Sequence, residues 1–280
     1  MNIKNCVEIT EYNVHAYKFL LEMTDGCTVE IVRLEYTDDV VICMSCQVGC
    51  KHGCTFCANR FSPFVRNLSE AEICDAVTHI LPFPSKRETV LDFSGIGDCS
   101  DNWNEVRNAC VSLKSRNIIQ RYSFTSVAPK LWCTTVLQEM KDGLVAPSKI
   151  MISLHGFDAE SRSQIIPHAE DPREAVAWWS SLKQDGVRIV MNYVLHSGNV
   201  NHSDDIVRYI KEYAEWIDVL RISPFNDVKC SSLIGLHKEE IEAAVEKIKK
   251  SLSEEINIVL FQPIGIKKGF ACGQMRASLL

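Results

Sequence analysis

The feature that most constrains this 280-residue chain is an alternation. From residue 40 onward, short β-type runs take turns with amphipathic segments of helical period. "VVICMS" (40–45), "TVLDFSG" (89–95), "RYSFTS" (121–126), "KIMISLHG" (149–156), "VRIVMNYVL" (187–195) and "IDVLRIS" (217–223) read as strands. The segment after the first run, "SEAEICDAVTHIL", places Ile73, Ala76, Val77, Ile80 and Leu81 on one helical face, with Ser69 and Glu72 at capping-box spacing. A second helix starts near Asn102. Another runs from Pro172 to about Gln184, with Asp171 as its N-cap and Gly186 just past its end. The last covers about 237–252 and precedes an apolar run, "INIVLFQP". Six βα units followed by one more strand imply an α/β fold: a parallel sheet with right-handed crossovers, curled into a partial (β/α)6 barrel rather than a closed eightfold one. Ahead of it, "CTVEIVRLEYTDDVVIC" reads as a short β-hairpin turning at Tyr36 to Asp39. The expected organisation is an N-terminal segment and hairpin over 1–43, then a core barrel with a C-terminal loop over 44–280. Repeats, low-complexity tracts and linkers are absent from the sequence.

A chain of this length buries most of its unfolded surface without disulfides or metal, so its thirteen cysteines need another explanation. Residues 1–15 carry acidic groups and no apolar run, so no signal peptide is expected. No stretch approaches the roughly 20 apolar residues of a membrane span. A cytoplasmic, reducing setting follows, where clustered cysteines imply metal or redox chemistry rather than bridges. A net charge of −6 argues against a broad basic footprint for nucleic acid but leaves room for a local basic groove.

Five of the cysteines fall in "CMSCQVGCKHGCTFCANR" (43–60), directly after the first barrel strand. In folds of this kind chemistry gathers at the C-terminal ends of the strands. Cys50, Cys54 and Cys57 have the spacing C-x3-C-x2-C, and three thiolates on one loop can hold three corners of a 4Fe-4S cluster, leaving the fourth iron open to an external chelator. The alternative is a zinc site from Cys43-x2-Cys46 and Cys54-x2-Cys57, which leaves Cys50 idle. Cys46 and Cys99 have no role in either reading, and Cys6, Cys27, Cys74, Cys110, Cys133 and Cys230 read as small apolar residues.

The cysteine spacing, with Phe56 before the third thiol, resembles the radical S-adenosylmethionine (SAM) superfamily. The resemblance narrows to the RlmN/Cfr family, radical-SAM methylases of adenosine carbons in RNA. "FACGQM" (270–275) is similar to that family's C-terminal A-C-G-Q. "SGIGDCS" stands at its G-x-G-E-P, "SLHG" at its S-L-H, "IIPH" at its I-x-P-I and "SPFND" at its P-W-N. The order holds from about residue 15 to the end.

This resemblance implies a radical-SAM barrel with a 4Fe-4S cluster on Cys50, Cys54 and Cys57, and SAM held by Gly97, Asp98, Ser126, Ser153, Leu154, His155 and Asn226. It also implies that Cys272 carries a methyl group to an adenine C2 or C8, that Cys43 resolves the resulting adduct as a disulfide, and that Glu30 accepts a proton. The residue-based alternative for Glu30 is an outward-facing strand position. The implied partners are ribosomal or transfer RNA and a one-electron donor such as flavodoxin or ferredoxin, with no membrane. The family's N-terminal RNA-gripping domain has no counterpart ahead of residue 15, and its Gly-Glu becomes Gly97-Asp98. A second substrate class is therefore a small nucleoside metabolite or a peptide, treated by the same two-cysteine chemistry.

Overall fold

The structure, a computed structural model, describes residues 1–81, 87–226, 233–252 and 256–265. One ten-stranded sheet runs through it. Its parallel part consists of β4 (Asp39–Cys43), β7 (Glu88–Phe93), β8 (Arg121–Ser126), β9 (Lys149–Ser153), β10 (Arg188–Leu195), β11 (Val219–Pro224) and β12 (Asn257–Leu260), each paired with the next. These are the six βα units and one extra strand that the alternation predicts. The intervening helices are α1 (Glu70–Ile80), α2 (Trp103–Ser115), α3 (Lys130–Lys141), α4 (Ala159–Ile165), α5 (Pro172–Trp179), α6 (Ser203–Tyr213) and α7 (Lys238–Leu252). The ends are set locally. Ser69 and Glu72 form the reciprocal capping box of α1, and Asp171 caps α5 with Pro172 in its first turn. Among the described residues no helix is long and apolar enough to cross a membrane.

The sheet begins one hairpin earlier than the sequence reading does. β1 (Asn2–Glu11) and β2 (Val14–Glu22) form an antiparallel ribbon, and β2 pairs with β3 (Thr28–Glu35), which pairs with β4. β1 is exposed along most of its length, so it shows no apolar run. Its turn is made by Tyr12 and Asn13, both at positive φ, without a glycine to announce it. The small two-stranded pair β5 (Gln47–Val48) and β6 (Arg66–Asn67) closes the base of the cysteine loop.

Side chains alternate across the parallel strands, and the two faces differ in kind. One face carries Ile42, Leu91, Phe93, Tyr122, Phe124, Ile150, Ile152, Ile189, Met191, Tyr193, Leu220 and Ile222. All are buried in the main core beneath the helices. The other face, toward the barrel interior, carries Cys43, Asp92, Ser123, Lys149, Asn192, Arg221 and Ser223, interleaved with a small apolar patch of Met151, Val190 and Val219. Burying that many polar groups inside a barrel is costly unless they pair or meet a ligand.

Candidate functional site

The site stands at the C-terminal ends of the parallel strands. Cys50, Cys54 and Cys57 lie on the loop after β4, all half-buried. The loop is tied down by Thr55 N–H donating to the Ile165 carbonyl at 2.9 Å and by a turn from Cys57 N–H to the Cys54 carbonyl at 3.1 Å. Burial pushes the three thiols up, Cys50 to about 12. Cys54 is raised further by the charges of Cys57 and Cys50. Asn59 donates its amide to the Cys57 sulfur at 3.6 Å. Thiols so raised ionise only where a cation takes the proton's place, and ligation releases protons.

The zinc alternative does not match this geometry. Cys46 is buried in the main core, near Asp98, Cys50 and Asp101, whereas Cys43 stands inside the barrel near Asp92, Ser94, Lys149 and Arg221. Among the described residues no three His, Cys, Asp or Glu side chains converge on a single ion. A cluster keeps its thiolates apart on separate corners, and three neighbouring cysteines on one loop suit that donor set.

The SAM-contact candidates come from successive strand ends. Gly97 has φ +98, and a Cβ there would stand 2.6 Å from the Gln47 side chain. Gly95 is as close: its Cβ would stand 2.6 Å from the Ser45 backbone nitrogen. The glycines let the loop after β7 lie against the start of the cysteine loop. Gln47 in turn accepts from Asp98 N–H at 3.1 Å. The Asp98 carboxylate ties the β7 and β8 loops together. Its Oδ1 accepts from Ser100 N–H (2.9 Å), the Ser100 hydroxyl (2.7 Å) and the Ser126 hydroxyl (2.6 Å), and its Oδ2 accepts from Val127 N–H (2.8 Å). Each carboxylate oxygen offers about two acceptor positions, and Oδ2 has one donor against three on Oδ1, so room for an ammonium donor remains on Oδ2. The imidazole of His52 stands 3.8 Å from that oxygen and 3.4 Å from Asp101. Burial opposes protonation of His52, but the Asp101 hydrogen bond and the two acids outweigh it and raise its pKa.

His155 follows β9 with φ +53 and is buried. Its Nδ1 accepts from Val194 N–H at 3.1 Å, and its ring meets Phe56 edge-on at 4.7 Å. Burial lowers its pKa to about 3, with Arg162 next in effect, so it works as a neutral ring whose Nε2 carries the proton. Ser153 and Leu154 present their carbonyls to Arg162. Asn226, two residues past β11, has a buried Nδ2 with no hydrogen-bond partner among the described residues, a donor available to a bound group. The thiol set, the open edge of Asp98 and the orphaned Asn226 amide fit a cluster and SAM.

Glu30 is buried rather than outward-facing. Its Oε2 lies 2.8 Å from Lys18 Nζ, and both side chains are almost wholly enclosed. Its charge acts on Cys57, so it borders the cysteine loop. Cys43 ends β4 in a polar row. Its neighbour Asp92 accepts from Ser123 and from Ser94 (2.9 Å) and pairs with Lys149 at 3.3 Å. Burial, then Asp92, pushes the Cys43 thiol up to about 11, against the Ser94 hydrogen bond and the charges of Lys149 and Arg221. Cys272 lies outside the described residues. Gly265, seven positions before it, donates its N–H to Glu11 at 2.9 Å, and Ile264 packs with Ile9 and Ala16 of the N-terminal ribbon.

The structure adds residues that the sequence does not announce. Arg162 is fully buried in α4 and donates to four carbonyls: Leu154 (3.1 Å), Glu170 (2.7 Å), Val127 (2.9 Å) and Ser153 (3.1 Å). It stacks on Trp179 and holds the ends of β8 and β9 in place. Asp92, Ser123, Lys149 and Arg221 meet only through sheet register. A polar residue in the middle of a strand-like run is the one signal each leaves in the sequence.

Residues 44–210 match the family model described as the Radical SAM superfamily. The chain is 30% identical over 278 residues to a probable dual-specificity RNA methyltransferase RlmN of Bacillus subtilis, covering 93% of this chain and 72% of that protein. It is 29% identical over 277 residues to the same-named protein of Bacillus velezensis, covering 93% and 72%. Among solved structures, a radical SAM methyltransferase from Sphaerobacter thermophilus superposes with a TM-score of 0.80 at 20% identity, over 98% of this chain and 81% of that one.

Proposed function

The chain belongs to the radical SAM superfamily and, within it, to the RlmN type of methyltransferase, with a 4Fe-4S cluster and SAM as cofactors, and on that premise we propose that it methylates an adenine carbon, C2 or C8, in ribosomal or transfer RNA. When bound, the cluster and SAM supply a methyl group, a hydrogen-abstracting carbon radical and a sink for one electron. Cys50, Cys54 and Cys57 hold the cluster. Gly97, Asp98, Ser126, Ser153, Leu154, His155 and Asn226 hold SAM. A flavodoxin- or ferredoxin-like protein supplies the electrons.

The protein's own part runs through two thiols. Cys272 takes a methyl on its sulfur. After that methyl loses a hydrogen atom, its carbon bonds to the adenine carbon, joining protein and base. The ring gives up a proton, accepted by Glu30, and one electron, and regains aromaticity. The Cys43 thiolate then attacks the Cys272 sulfur. A disulfide forms as the carbon–sulfur bond breaks, and the released carbon takes a proton to become the product methyl. The two cysteines lose two electrons and the carbon gains them.

One observation carries this reading. Cys43 stands half-buried in the polar barrel interior beside Asp92 and Lys149, a thiol that neither the apolar core nor a three-cysteine cluster requires. The test uses SAM with a deuterated methyl, the anaerobically reconstituted protein, and host RNA with its native modifications removed. Nuclease digestion and mass spectrometry should show an adenosine gaining a methyl group with two deuterium atoms, the third having been abstracted. Transfer of the intact trideuterated methyl would refute the mechanism. Labelling of a small nucleoside or a peptide, and not of RNA, would move the substrate to that second class.

A further inference from the structure

Among the described residues, the barrel interior holds a cation with no ion-pair partner, Arg221. Among the described residues, Asp92 is the carboxylate acting on this region, and it is already satisfied by Ser94, Ser123 and Lys149. The remaining neighbours, Cys43 and Tyr36, are pushed up by burial and stay neutral at physiological pH. Across from them, Arg221 on β11 projects into the same space and feels the charges of Asp92, Cys43 and Tyr36. Among the described residues it forms no ion pair. Its Nη1 reaches only the weak acceptor Sδ of Met151 at 3.4 Å, and its Nε is buried with no partner. One face of the guanidinium is fixed on the Phe261 ring, 3.6 Å from its centroid. Phe261 and Tyr36 are both more than a third exposed, so this corner opens to solvent. A half-buried guanidinium held flat, whose donors meet only a thioether among the described residues, is arranged to receive a planar pair of anionic oxygens, and phosphate fits that fork.

We propose that Arg221 is the phosphate-recognising residue of the substrate site: it binds a phosphate of the nucleotide whose base is methylated beside Cys43. This rests on the adenine-carbon reading above and narrows it, because the substrate must then bring a phosphate with its adenine. A phosphodiester of RNA and the monoester of a free nucleotide share that chemistry.

The experiment measures binding and needs no turnover. Dissociation constants of adenosine, adenosine 5′-monophosphate and a short adenosine-containing RNA are determined for the reconstituted holoenzyme by equilibrium dialysis. The monophosphate or the RNA should bind at least about tenfold more tightly than adenosine, the worth of a charge-assisted hydrogen-bond pair. Arg221→Met should bring that ratio close to one, and Arg221→Lys should restore part of it. Tighter binding by the RNA points to the phosphodiester as the source, and tighter binding by the monophosphate to a free nucleotide. Iron content serves as the folding control, and Arg221→Gln replaces the methionine variant if that one loses its cluster. A wild-type ratio near one, or a ratio unchanged in the folded variants, overturns the proposal and leaves the methylation reading standing. Failure to methylate adenine with the binding ratio intact would count against the reading instead.

Discussion

Replacing Arg162 by methionine should loosen the whole upper rim of the barrel. The side chain is fully buried and donates to the carbonyls of Leu154, Glu170, Val127 and Ser153. Hydrogen bonds from a charged donor contribute about 1.5 kcal/mol each at the low end, so four contribute about 6 kcal/mol. Against this stands the cost of burying the guanidinium, which lowers its pKa from 12.5 to about 10. At 1.36 kcal/mol per unit that is on the order of 3 kcal/mol, a cost that methionine does not bear. The net loss is about 3 kcal/mol, or roughly 5–10 °C in melting temperature for a domain of this size. Thermal unfolding of the anaerobically reconstituted variant, followed by circular dichroism, reads it directly. Because α4 also supplies the Ile165 carbonyl that anchors Thr55, iron occupancy should fall alongside the melting temperature. Arg162→Lys should recover only part of the loss, since an ammonium cannot reach four carbonyls in the guanidinium's plane. A methionine variant that melts like the wild type and holds full iron would refute the role assigned to this residue.

Other perturbations separate the parts of the site. Replacing Cys50, Cys54 and Cys57 together by alanine should abolish cluster assembly, read as loss of about four irons and four sulfides per chain on reconstitution. Gly97→Ala forces a side chain into φ +98 and toward Gln47, at about 1–3 kcal/mol, and should weaken SAM binding, measured by equilibrium dialysis, more than it lowers iron content. With its pKa raised to about 11, the Cys43 thiol is protonated at neutral pH, and its thiolate fraction rises about tenfold per pH unit from 7 to 10. Alkylation of Cys43 by iodoacetamide, mapped by mass spectrometry, should follow that slope. Asp92→Asn removes a charge that holds the proton on, so alkylation at pH 8 should speed up; a slower rate would show the sign to be wrong.

The parts of the fold that the sequence reveals are those where one face is apolar. The parallel strands bury a continuous outer face under helices, so Leu91, Phe124, Ile150 and Leu220 stand out as periodic runs. The first hairpin escapes because β1 is solvated along most of its length and its turn uses Tyr12 and Asn13. The cysteine loop and the Gly97–Asp98 segment are legible because their chemistry is local. The inner row of Asp92, Ser123, Lys149 and Arg221 is not, because it exists only through the register of five successive strands. Glu30 shows the same limit: its place on a strand is readable, but its burial against Lys18 depends on the pairing of β2 with β3.

The central claim is that two thiols outside the cluster, Cys272 and Cys43, carry the methyl group and then release it. The Cys43→Ala protein, isolated anaerobically from its native host, tests this most directly. Cluster, SAM contacts and methyl carrier all remain, and only the thiol that resolves the adduct is gone. Digestion and mass spectrometry should find Cys272 joined through a one-carbon bridge to an adenosine within an RNA fragment. A variant that turns over at the wild-type rate, with Cys272 free of any adduct, would contradict the account.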